Sequence, residues 1–128
     1  MITVTLTTAS ILGLIFIWLC MRVISVRVKH EALIGDEGKT DLLFAIRTHG
    51  NFTEYTPIFL ILLGALELSG ANTNVLWGLA ALFVAARLSH IPGMGENANL
   101  RLRQAGVLGS FLAIITACLY GLYLTLLA

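Results

Sequence analysis

The chain has 128 residues, of which 58% are hydrophobic and 12% charged, with a formal net charge of +1 and a mean hydropathy of +0.90. Soluble domains carry about 25% charged residues, disordered chains combine low hydrophobicity with high net charge, and nucleic-acid surfaces need a concentrated basic patch, so all three are excluded. What remains is a small polytopic membrane protein, one domain over residues 1–128.

Residues 2–21 contain no charge, and about 20 apolar residues span a bilayer core of about 30 Å as a helix. A signal peptide would place basic residues before a short apolar run and a small-residue cleavage site after it. No Lys or Arg precedes this run, and Trp18-Leu19-Cys20-Met21-Arg22 is a poor cleavage site, so we read a first helix that continues to about Arg27. Residues 28–41 crowd Lys29, His30, Glu31, Asp36, Glu37, Lys39 and Asp41 around Gly35 and Gly38, which predicts a loop.

Residues 42–68 predict a second helix, polar in its first half, with Pro57 as the place for a bend. The turn-rich stretch 69–74 predicts a tight connection. Residues 75–90 predict a third helix, charge-free until Arg87, and Ile91-Pro92-Gly93-Met94-Gly95 ends it. A fourth helix opens at Arg101 or Arg103 and is uncharged from Gln104 to Ala128.

Four spans put both termini on one side. All eight basic residues, from Arg22 to Arg103, lie in or beside the first and third loops. By the excess of basic residues in cytoplasmic loops, those loops face the cytoplasm and both termini face away. Cys20 and Cys118 sit inside apolar runs with no CxxC spacing and no histidine nearby in sequence, which predicts two buried small apolar residues.

Charged groups inside a membrane are costly and usually functional. Arg47, Asn51 and Glu54 fall within roughly 60° of arc on the second helix, while His49 points the other way. The plain structural reading is an internal network, with Asn51 bridging Arg47 and Glu54 to glue helices together. The surplus of arginine at this end points instead to a ligand bearing carboxylates. The three histidines share no metal-ligand spacing, so no metal is expected. Neither a phosphate loop nor a nucleophile elbow is present, so any nucleophile arrives with a substrate.

Residues 47–57 read R-x-H-x-N-x-x-E-x-x-P, through Arg47, His49, Asn51, Glu54 and Pro57. This resembles the second-helix signature of the MAPEG family, the membrane-associated proteins in eicosanoid and glutathione metabolism. Arg87-x-x-His90 resembles the family's third-helix motif, and Val23-Ile24-Ser25-Val26-Arg27 resembles the end of its first helix.

The resemblance implies an all-α, four-helix, up-down membrane bundle assembled as a homotrimer. It implies glutathione as co-substrate between subunits, open to the cytoplasm, and a lipophilic electrophile or hydroperoxide entering from membrane lipid. It assigns glutathione contacts to Arg27, Arg47, His49, Asn51, Glu54, Tyr55, Arg87 and His90. It gives thiolate stabilisation to an arginine opening the fourth helix. Arg103, with Gly106 three residues on, matches the bacterial pattern better than Arg101. Met94 stands where the family often has tyrosine, which removes a hydroxyl from that position. A non-catalytic trimer binding a lipid or anionic ligand is the alternative. A transporter is disfavoured, since helices two and four place only Glu67, Thr116 and Thr125 in the outer half.

Overall fold

A computed structural model describes residues 1–127. It contains α1 (Thr3–His30), α2 (Thr40–Leu68), α3 (Thr73–His90) and α4 (Leu100–Leu126), with no strand among the described residues. The uncharged run expected to reach Ala128 thus ends one residue outside the described part.

The helices start and stop where local chemistry directs them. Ile2, which precedes α1, offers no side-chain cap. Glu67, from the far end of α2, supplies one: its carboxylate accepts from Val4 N at 2.8 Å and Thr5 N at 2.7 Å. An anion on the free N–H groups of a helix start offsets their positive end. At the other end Glu31 turns left-handed (φ 55°), and Ala32 N donates back to Arg27 O. Asn72 Oδ1 caps α3 by accepting from Asn74 N and Val75 N, and Asn99 Oδ1 caps α4 by accepting from Arg101 N.

Two expected boundaries move. α1 runs three residues past Arg27 and α2 starts at Thr40, because Lys29 and His30 both reach Asp41, at 3.1 and 2.8 Å. The charges that read as a loop are the polar ends of two helices, with basic groups favoured at a C-terminus and an acid at an N-terminus. Pro57 stays inside one continuous α2, on its exposed side.

The core forms between all four helices. Phe59 and Phe83 stack at 4.0 Å with 7° between their planes, and Leu12, Leu63, Leu76 and Ala113 close around that layer. α3 and α4 approach closely because α4 presents Gly106, Ser110, Ala113 and Ala117 to the interior. A Cβ at Gly106 would lie 2.5 Å from His90 Cβ, so only glycine fits there. Small residues at such spacing are how helices meet in lipid, where dispersion contacts replace the hydrophobic drive.

The outside of the molecule is apolar. Leu14, Trp18 and Met21 on α1 and Leu108, Leu112, Ile115 and Leu119 on α4 are exposed, far more than a soluble surface tolerates as one patch. α1 and α4 are long and apolar enough to cross a membrane. α2 and α3 fall short of that measure, since Arg47, His49, Asn51 and Glu54 interrupt α2 and polar residues end α3.

Candidate functional site

The polar half of α2 divides between two faces, and the helix pitch decides which residue goes where. Arg47 and Glu54 are exposed, Asn51 and Tyr55 half-buried. Neither Arg47 nor Glu54 forms an ion pair among the described residues, so the internal Arg47–Asn51–Glu54 network does not form. Asn51 is engaged elsewhere: its Oδ1 accepts from Arg87 Nη1 at 2.8 Å.

Arg87 is the central cation of this end. It is 1% exposed, and its Nη2 donates to Gly106 O at 2.9 Å. Its guanidinium lies 5.3 Å from the Tyr55 ring centroid and 5.7 Å from that of Phe83. One side chain therefore ties α2, α3 and α4 together. Its Nε is buried without a partner. Burying an unpaired charge costs several kcal/mol. Two charge-assisted hydrogen bonds of about 1.5–3 kcal/mol each and two aromatic faces offset much of that. Ser110 Oγ also donates to Gly106 O, so two side chains converge on that helical carbonyl.

His90 is buried, its Cβ against Gly106. Met94 is buried too, so this position carries an apolar thioether and no hydroxyl. The backbone of Arg103 packs directly on Gly93, while its side chain reaches the surface and lines an open groove of ≈ 480 Å³ with Leu100, Gln104, Val107 and Leu108. Arg101 is exposed and does not line that groove. Arg27 donates from Nη1 to Gly35 O at 2.8 Å, which ties down the first loop.

His49 faces away from Arg47 and Glu54, as its position on the helix requires. Its Nε2 lies 3.3 Å from Cys20 Sγ on α1. This corrects two expectations. Cys20 does have a histidine neighbour, hidden by 29 residues of sequence. Cys118 is exposed rather than buried, because it falls on an outward face of α4.

The structure thus gathers Asn51, Tyr55, Arg87 and His90 inside one end of the molecule, with Arg103 at the groove on the same end of α4. It leaves Arg47 and Glu54 free on the surface and turns His49 to a different neighbour. The role of Gly106, which receives Arg87 and admits His90, had only the R-x-x-G spacing as its signal. No group of three or more histidine, cysteine or acidic residues is placed to hold a metal among the described residues.

Comparison with known proteins adds the ancestry. Inner membrane protein YecN of Escherichia coli strain K12 is 32% identical over 101 residues, covering 79% of this chain and 76% of its own. The same protein of Escherichia coli O6:H1 strain CFT073 matches equally. No solved structure matches the chain. The model of the MAPEG family matches residues 5–123. With two apolar helices of spanning length and an inner membrane relative, this is a membrane protein, and the chain belongs to the MAPEG family.

Proposed function

We propose that the protein is a membrane-embedded, glutathione-dependent transferase or peroxidase, working as a homotrimer of up-down four-helix bundles. The observation that carries this reading is the pair Arg47 and Glu54, exposed on one face of α2 and without ion-pair partners among the described residues. They lie at the end where Arg103 opens α4. A free guanidinium takes a carboxylate and a free carboxylate takes an ammonium, and glutathione carries both kinds of group. Family membership supports the same assignment.

In this reading Arg47 and Glu54 hold the tripeptide, and Asn51 and Tyr55 stand beside it, set in place by Arg87. An ordinary thiol has a pKa of about 8.5, and its thiolate is the nucleophile. Arg103 faces the sulfur and favours the anion by its nearby charge, without a proton of its own to give up. Arg103 is preferred over Arg101 because it sits on the flank of α4 that carries Gly106 and Val107. Fixing the thiol next to its cation supplies proximity as well as charge. The electrophile or hydroperoxide is lipophilic and arrives through the apolar outer surface from membrane lipid. The site opens to the cytoplasm, and both termini lie on the other side.

The test is glutathione binding by calorimetry to the purified protein in detergent, with thiolate ultraviolet absorbance followed in parallel. Binding with a thiolate signal at neutral pH supports the enzyme. Binding without it supports the alternative, a non-catalytic trimer that holds an anionic ligand or lipid, which the apolar Met94 favours.

A further inference from the structure

The proposed glutathione mechanism uses neither Cys20 nor the His49 imidazole, and the two side chains stand together on facing helices. Cys20 Sγ lies 3.3 Å from His49 Nε2. The Phe16 ring braces the imidazole, with centroids 5.3 Å apart and planes inclined by 38°. Phe16 also belongs to the wall of a groove of ≈ 230 Å³ between α1 and α2, which Ala9 and Gly13 line on one side and Thr53, Pro57 and Leu60 on the other. Ala9, Gly13, Phe16 and Cys20 are spaced i, i+4, i+7 and i+11, so they share one face of α1. The groove therefore ends at Phe16, whose ring packs on His49 and which lies about one turn of α1 before Cys20.

Its walls accept hydrocarbon and little else. The two hydroxyls among the lining residues are already used: Thr53 Oγ1 donates to Gly50 O and Thr56 Oγ1 to Phe52 O. The volume falls below the roughly 300–1,000 Å³ of sites that enclose drug-sized ligands, which suits one alkyl chain. A second thiol provides the comparison. Cys118 lines a larger apolar hollow of ≈ 430 Å³ between α2 and α4, with no histidine among the residues around it.

We propose that Cys20 and His49 form a covalent trap for lipophilic α,β-unsaturated aldehydes, whose alkyl chain lies in the α1–α2 groove. His49 Nε2 takes the thiol proton as Cys20 Sγ attacks the β-carbon. The new bond is S–C; the π bond of the alkene breaks and its electron pair moves to the enolate. The proton then passes from His49 to the α-carbon. Nothing leaves, and neither oxidant nor reductant is consumed. A hydroperoxide would need a second reductant to restore the sulfur, and an acyl thioester a bulky polar carrier that the groove has no group to hold. The proposal rests on the pair and the groove, and uses none of Arg47, Glu54 and Arg103, on which the glutathione mechanism rests.

The experiment treats the purified full-length protein in detergent with 4-hydroxynonenal, and separately with acrolein, which has the same reactive group and no chain. Intact mass and peptide mapping follow Cys20 and Cys118. The expected result is one addition at Cys20, at least about tenfold faster than at Cys118, as a positioned base allows. His49→Gln keeps a hydrogen-bonding side chain but no base, and should bring Cys20 down to the rate of Cys118. Gly13→Leu fills the groove, where a Cβ meets nothing within 4 Å. It should slow the nonenal severalfold and leave acrolein unchanged. Equal rates at the two cysteines, or a His49→Gln protein that melts normally and reacts as the parent does, would overturn the pair. A Gly13→Leu protein that reacts with both aldehydes as the parent does, or slows equally with both, would overturn the groove.

Discussion

Arg87 and Arg47 lie on adjoining helices in opposite surroundings: one is 1% exposed and the other is on the surface. The family resemblance treats both as glutathione contacts. Burial separates them. Removing Arg87 leaves Asn51 Oδ1 without its donor and Gly106 O with one partner fewer, and opens a cavity between three helices. Arg87→Ala should therefore destabilise the protein by about 3 kcal/mol, within the range for a broken buried network, read as a lowered melting temperature in detergent. Arg47→Ala should leave melting unchanged and weaken glutathione binding by about 1.5–3 kcal/mol, the value of a charge-assisted hydrogen bond. Calorimetry on that variant separates the two roles, and a melting loss without a binding defect would make Arg47 structural. That Arg47 and Glu54 share a side of α2 was legible because helical pitch fixes it locally. The Cys20–His49 pair and the Arg87–Gly106 bond were not, since each joins residues whose neighbourhood depends on how whole helices pack.

At the scale of the element, all four helices were readable from apolar runs broken by glycine, asparagine and proline. Their ends were not, because the contacts that set them are tertiary. Glu67 read as a polar residue in the outer half of α2, whereas it caps α1. Glu67→Gln keeps an acceptor and loses the charge, so α1 should fray, at a cost of about 0.5–2 kcal/mol for a weakened cap, visible as faster amide exchange at Val4 and Thr5. At the opposite end, Asp41 stands in the first turn of α2, an exposed position on a helix of 29 residues. At about 1.5 Å per residue that helix outreaches a bilayer core of about 30 Å, so Asp41 lies beyond the spanning part. Hydrogen bonds from His30 and then Lys29 hold its pKa down to about 2, against an ordinary 3.8. A folded-state pKa below the unfolded one adds stability above the unfolded value, which is lost as pH falls through the folded one. The tie between α1 and α2 should thus weaken from about pH 4 to about pH 2, and Asp41→Asn should flatten that part of an acid-melting profile. Gly106→Val probes the α3–α4 contact: overpacking costs about 1–3 kcal/mol, and the displaced carbonyl also loosens Arg87.

For the whole molecule, the basic residues predict that both termini face away from the cytoplasm. A reporter active only in the cytoplasm should stay dark when fused after Ala128 and shine when inserted in the first loop; the reverse pattern would move the site to the other face. In the proposed function, the polar end meets water-soluble glutathione on one side and the apolar outer surface meets lipid-borne acceptors around the girth. The central claim is that an arginine opening α4 turns bound glutathione into a nucleophile. It is tested most directly by titrating the absorbance of glutathione with pH on the parent, Arg103→Leu and Arg101→Leu proteins. The account predicts that the parent holds the thiolate at neutral pH. Arg103→Leu should still bind glutathione but lose that signal, at about 1.4 kcal/mol of lost anion stabilisation per pKa unit, and Arg101→Leu should titrate like the parent. Three identical curves would contradict it.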